Sequence, residues 1–92
     1  MTRVHLLIQG HVQGVFFRQT VRLKGLDLGL RGWVRNRKDG SVEMVAEGER
    51  PALDDLVNWC QEGPKAARVD SVERIDGEPV GLPEGFHVRP TE

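Results

Sequence analysis

The feature that most limits the folds open to this chain is where its hydrophobic period changes. Val4, Leu6 and Ile8 alternate with His5, Leu7 and Gln9, the period-2 pattern of a strand with one face buried. From Phe17 to Leu28 the alternation stops. Phe17, Val21 and Leu28 fall near one helical face, Arg22 and Lys24 lie elsewhere, and Gly29 follows as a left-handed stop. Gly25 interrupts that helix and weakens its last turn by about 1 kcal/mol relative to alanine. Residues 30–48, LRGWVRNRKDGSVEMVAEG, return to extended character and fold back at KDG, because Asp-Gly between extended segments marks a tight hairpin. In RPALDDLVNWCQEGP the helical period resumes. Pro51 suits a first helical position, Leu53, Leu56, Val57 and Cys60 recur at i, i+3, i+4 and i+7, and Gly63-Pro64 ends the run. Residues 69–75, VDSVERI, read as a weaker strand, and FHVR, beyond the turn-rich DGEPVGLPEG, as a short last one.

Strand, helix, strand, strand, helix, strand, with one more strand at the end, is the split β-α-β order of a ferredoxin-like α+β sandwich. It predicts an antiparallel sheet of four to five strands with both helices on one face. A length of 92 residues fits one domain, 1–92, with a compact core. A content of 38% hydrophobic and 29% charged residues suits a globular fold and argues against disorder. No apolar run approaches the roughly 20 residues that cross a bilayer. The N-terminus, MTRVHLLIQG, lacks the apolar region and cleavage site of a signal peptide, so the expected address is cytoplasmic, away from membranes. The single cysteine, Cys60, forbids an intrachain disulfide and argues against a cysteine-built metal site. On the apolar stripe of the second helix it reads as a buried thiol.

Charge is unevenly spread. Residues 1–46 carry eight Lys/Arg against three Asp/Glu, a balance of +5, whereas residues 47–92 carry five against eleven, a balance of −6. The positive half contains QGHVQGVFFRQT, where a strand pattern gives way to a helix through Gly10 and Gly14, with Arg18 in the first turn. A helix N-terminus leaves its first four N–H groups without intrahelical partners and favours negative charge. A glycine-containing loop feeding it lets several N–H groups converge on one oxyanion. Arg18 is badly placed to stabilise the helix and well placed to share that anion, through charged hydrogen bonds of roughly 1.5–3 kcal/mol each. A tight turn with an arginine in water is the plainer alternative. There is neither a GxGxxG nor a P-loop motif. In GWVRN, Trp33, Arg35 and Arg37 share one strand face and Val34 and Asn36 the other. Asn36 is a poor strand former, and beside the loop its amide could hold a water; a turn-supporting asparagine is the alternative.

These segments resemble a known family. GHVQGVFFR is similar to the first signature of the acylphosphatases and GWVRNRKDGSVEMVAEG to their second, in the right order and with a helix of suitable length between them. The resemblance spans nearly the whole chain. It implies hydrolysis of the carboxyl–phosphate bond of an acyl phosphate, giving a carboxylate and inorganic phosphate. The phosphate-binding loop would be Gly10, His11, Val12, Gln13, Gly14, Val15 and Phe16; Arg18 would hold the phosphate and Asn36 would orient the attacking water. The resemblance also implies no metal and no other cofactor, a small-molecule acyl phosphate as partner, and inorganic phosphate as product or inhibitor. An activated anhydride asks mainly for positioning and charge stabilisation, and the substrate's own phosphate would take the proton.

Other residues draw plainer expectations. His11 reads as a solvent-facing loop residue, His5 and His87 as structural or exposed, Trp59 as packing and Phe17 as core. Arg37 would bear on substrate preference, and Pro90, where the family commonly has an aromatic residue, on the packing of the last strand. Two other functions compete. A non-catalytic anion-binding module on the same fold would not need the asparagine. An RNA-binding domain would display aromatic residues on its central strands, where SVEMVAEG offers Glu43, Met44 and Glu47. Near-neutral charge likewise argues against a nucleic-acid partner, and a monomer suffices.

Overall fold

The structure, a computed structural model, describes residues 1–92. Its elements run β1 (Thr2–His11), α1 (Phe17–Asp27), β2 (Arg31–Asn36), β3 (Val42–Gly48), α2 (Arg50–Glu62), β4 (Arg68–Gly77) and β5 (Phe86–Val88). The five strands form one sheet in the order β4-β1-β3-β2-β5. Pairs β1–β3, β1–β4 and β2–β3 are antiparallel, as the hairpin and the element order require. The three-residue β5 is the exception to the antiparallel expectation: it adds to the outer edge of β2 in parallel. A chain leaving β4 on one side of the sheet reaches that edge only by crossing over, and residues 78–85 supply the crossing.

Register explains where the core lies. Val4 opposes Ala46, Leu6 opposes Met44 and Ile8 opposes Val42, while Val34 opposes Met44 from the other side. All seven side chains are fully buried on one sheet face, joined in one cluster by Phe17 and Val21 of α1 and by Leu53, Leu56, Val57 and Cys60 of α2. Both helices therefore cover the same face, and the pleat sends alternate residues to the open one. Phe17 meets Trp59 at a ring-centre distance of 5.6 Å, which ties the helices together where α1 begins. Burial pushes the Cys60 thiol up to about 12, as suits a core residue with no nucleophilic part to play.

Gly25 has a packing reason that the periodicity hides. A side chain there would strike the Phe86 ring, so the glycine admits β5 under α1. The helix continues past it to Asp27 and closes as the Leu30 N–H returns 2.9 Å to the Gly25 carbonyl.

Candidate active site

The segment between β1 and α1 makes no regular structure, and its backbone explains why. Gly14 has φ +73° and Phe16 φ +63°, the latter the sole non-glycine residue in the left-handed region. Phe16 occupies the N-cap of α1 without a capping side chain. No backbone N–H of residues 13–19 donates any of the loop and cap hydrogen bonds, so a run of donors stands free where the helix dipole is positive. A Cβ added at Gly14 would meet nothing within 4 Å, leaving its backbone open to an approaching ligand.

The Gln13 side chain fixes this loop in space. Its amide nitrogen donates to the Arg37 carbonyl at 2.7 Å and to the Ser41 carbonyl at 2.9 Å. Both acceptors belong to the β2–β3 turn that follows Asn36, so a single side chain docks the loop on the hairpin.

A cavity of about 280 Å³ opens between them, lined by Val12, Gly14, Phe16, Phe17, Arg18, Gln19, Asn36 and Val88. Arg18, half-buried in its wall, has no carboxylate within ion-pairing distance. Asn36 shares the helix-side face with Val34, as the alternation predicts, and its Oδ1 is buried without a hydrogen-bond partner. An acceptor there that met no donor at all would cost about 1–3 kcal/mol. The strand is held on both flanks: Asn36 opposes Val42 of β3, and its carbonyl accepts the Glu92 N–H at 3.2 Å. Free N–H groups and a lone guanidinium suit an anion, and the unpaired carbonyl beside them suits a donor such as water.

Not every residue of the expected loop reaches this cavity. Gly10 and His11 still belong to β1, opposite Val69 and Arg68 at a bulge in the β1–β4 ladder. Gly10 is needed there because a side chain would strike the Arg68 carbonyl. His11 is exposed and Val15 is buried in the core. Val12, Gly14 and Phe16 line the cavity, whereas the Gln13 side chain turns to the hairpin. The sequence offered no signal for Val88, which enters through the parallel pairing of β5 beside Val34.

Arg37 points away, with its guanidinium 3.3 Å from the Glu43 carboxylate on the open face. His5 and Arg35 also reach Glu43, each at 2.7 Å. Burial alone would raise the Glu43 pKa; the hydrogen bonds from His5 and Arg35 and the Arg35 charge outweigh it and hold the carboxyl below its ordinary value. Trp33 lies between Arg35 and Arg89, whose guanidinium carbons sit 4.8 and 4.5 Å from its ring centre. His87 faces the Glu84 carbonyl at 3.1 Å.

Fold and cavity together define a class: a ferredoxin-like sandwich whose first turn, between β1 and α1, presents an anion-seeking hollow. The acylphosphatase family model matches residues 4–88. An acylphosphatase of Rubrobacter xylanophilus is 53% identical over 88 residues, covering 95% of this chain and 79% of the relative. One from a Roseiflexus species is 47% identical over 88 residues, covering 96% of this chain and 95% of the relative. The crystal structure of acylphosphatase from Bacillus subtilis superposes with a TM-score of 0.93 at 31% identity, over 97% of this chain and 99% of that one. An acylphosphatase structure from Coxiella burnetii gives 0.90 at 44% identity, over 96% and 92%. The chain belongs to the acylphosphatase family, and it is a hydrolase of that kind. None of its helices is long and apolar enough to cross a membrane.

Proposed function

We propose that the chain hydrolyses the carboxyl–phosphate bond of acyl phosphates at this cavity, with Arg18 and the loop holding the phosphate and Asn36 orienting water. The observation that carries the reading is the buried Asn36 Oδ1 with no partner, in the same cavity wall as the unpaired Arg18. A buried acceptor left unsatisfied in a native fold asks for an explanation, and a water donating to it supplies one.

In this reading the phosphoryl oxygens take N–H groups of the loop and the guanidinium of Arg18, which can grip two oxygens at once. The water held by Asn36 attacks phosphorus opposite the acyl oxygen. The new bond forms between water oxygen and phosphorus; the bond between phosphorus and the acyl oxygen breaks, and its electron pair leaves on the carboxylate. The water proton passes to a phosphate oxygen, so no side chain must act as a strong base. The carboxylate is a good leaving group, and the protein contributes mainly position and charge. Charge on the phosphoryl oxygens is met by Arg18 and the loop, so the step calls for neither a metal nor another cofactor. The chain would work as one domain, 1–92, a monomer in the cytoplasm.

The test is benzoyl phosphate hydrolysis in the presence of a chelator, for the wild type and for Asn36→Ala. The expected result is rapid turnover by the wild type, a fall in kcat of about 10²-fold or more in the variant, and a KM close to unchanged. A folded wild type that binds inorganic phosphate and hydrolyses nothing would leave an anion-binding module. Equal turnover by both proteins would remove Asn36 from the mechanism.

A further inference from the structure

Phe16 has no structural reason to be phenylalanine. Its ring is 81% exposed, the most exposed large apolar side chain of the molecule, and it stands outside the core cluster. It holds the left-handed conformation that glycine and asparagine adopt with least strain. It also occupies an N-cap, where a short polar side chain would satisfy an N–H and a phenyl ring satisfies none. Packing, backbone geometry and capping would each favour another residue. What the ring does is line the cavity.

The cavity lining separates by character. Gly14, Arg18 and Asn36 are its polar members beside the loop, with Gln19 on α1. Val12 and Phe17 are fully buried, so the apolar surface still open to a ligand belongs to Phe16 and to Val88, which is 40% exposed. No carboxylate lines the cavity, and Arg18 is its single cation. Once a phosphate has taken that cation, nothing remains in the lining to meet a second charge, whereas an apolar group in the same cavity meets Phe16 and Val88. At about 280 Å³ the volume lies near the small end of the roughly 300–1,000 Å³ common for ligand sites.

We infer that Phe16 and Val88 form the acyl subsite, and that it selects acyl phosphates whose acyl group is uncharged and aromatic or bulky aliphatic. This inference rests on the function proposed above, since it supposes that phosphate is held in this cavity by Arg18. Phe16 is then a specificity-determining residue: its ring packs on the acyl group while the loop beneath it binds phosphate.

The experiment measures kcat/KM for benzoyl phosphate and for acetyl phosphate with the wild type, Phe16→Asn and Phe16→Trp. Asparagine tolerates the left-handed conformation, so the fold is retained, and any loss common to both substrates cancels in their ratio. The benzoyl-to-acetyl ratio is expected to fall by about tenfold or more in Phe16→Asn and to stay near the wild-type value in Phe16→Trp. A ratio unchanged in Phe16→Asn overturns the subsite even if both rates drop. A folded wild type that hydrolyses neither substrate overturns the underlying function, and the subsite with it.

Discussion

Arg35, Asn36 and Arg37 follow one another along the chain, yet their side chains obey opposite rules. The two arginines turn to the open sheet face, where with His5 they surround the Glu43 carboxylate at 2.7 to 3.3 Å. On the same face Glu47 accepts the Val80 and Leu82 N–H groups, so each buried carboxylate there has its partners. Asn36 turns to the helix side, where its Oδ1 has no partner and Arg18 no counter-charge. One face spends its polar groups on the fold; the other holds them in reserve. Groups that are paired stabilise and are closed to ligands, while unpaired ones destabilise and stay available. Changes on the helix side should therefore cost activity and spare stability, and changes on the open face should do the reverse.

The largest effect should come from Arg18→Ala. Removing the only cation of the cavity is expected to lower kcat/KM for an acyl phosphate by about 10³-fold or more, as loss of a phosphoryl-binding arginine does elsewhere. Because Arg18 makes no ion pair, the urea midpoint should correspond to a change within about 0.5 kcal/mol. A comparable loss of stability would break the contrast between the faces.

Asn36→Leu probes it from the other direction. Activity should fall by about 10²–10³-fold, with the loss in kcat. Stability should stay the same or rise by up to about 1 kcal/mol, since an apolar side chain of similar volume replaces the amide and its water together. Thermal unfolding checks this, with a Tm expected at the wild-type value or up to about 4–8 °C above it for a domain of this size. A drop in Tm would mean that the amide is a structural group after all.

How much of this contrast the sequence reveals depends on the range of each interaction. Element order was legible because period 2 and period 3.6 are local properties, and the same alternation placed Val34 and Asn36 on one face and Arg35 and Arg37 on the other. The parallel docking of β5 was not, because three residues carry no period and the partner edge lies some fifty residues earlier. That long-range step also hid the reason for Gly25 and the entry of Val88 into the cavity. Gly10 read as part of the anion loop; its φ of +134° and its close approach to the Arg68 carbonyl both call for glycine, and only the ladder with β4 reveals that approach. Glu43 read as one charge on a strand; two guanidinium groups and an imidazole had to converge through strand pairing before it became a buried cluster.

Gln13 joins the two halves of the active-site cavity, and its replacement should have an intermediate effect. In Gln13→Met the two hydrogen bonds to the hairpin carbonyls are lost with little change in volume. A loop free to drift from Asn36 is expected to lower kcat by about 10–10²-fold, since displacement of about 1 Å can cost 10²-fold. Gln13→Glu should be worse than Gln13→Met, because a carboxylate would face two carbonyl oxygens with no proton to give. Steady-state kinetics on the three proteins would settle the order, and an active Glu variant would remove the bridge from the account.

The smallest effect on activity should come from Glu43→Gln, where stability responds instead. The folded-state pKa of Glu43 lies below its ordinary value of 4.5, so the native protein releases this proton more readily than the unfolded chain. Between the two pKa values the unfolded state binds more protons, and stability rises with pH. The contribution is therefore complete above about 4.5 and disappears as pH falls through the lower, folded value. Glutamine keeps the shape and an acceptor but lacks the charge at every pH. At pH 7 the variant should be less stable by about 2 kcal/mol, the scale of charged hydrogen bonds in a mostly buried cluster. At pH 3, below the ordinary value, the gap should narrow, because the unfolded wild-type chain binds the proton that the native carboxylate gives up more readily. Asp39 and Glu47 also have lowered values, but both proteins share them and they cancel in the difference. Urea unfolding of the two proteins at both pH values measures the gap directly, and kcat should stay within about twofold throughout. A gap that is the same at pH 3 and pH 7 would show that the charge of Glu43 contributes nothing. A large fall in kcat would show that the open face reaches through the sheet to Asn36, and the separation between the faces would fail.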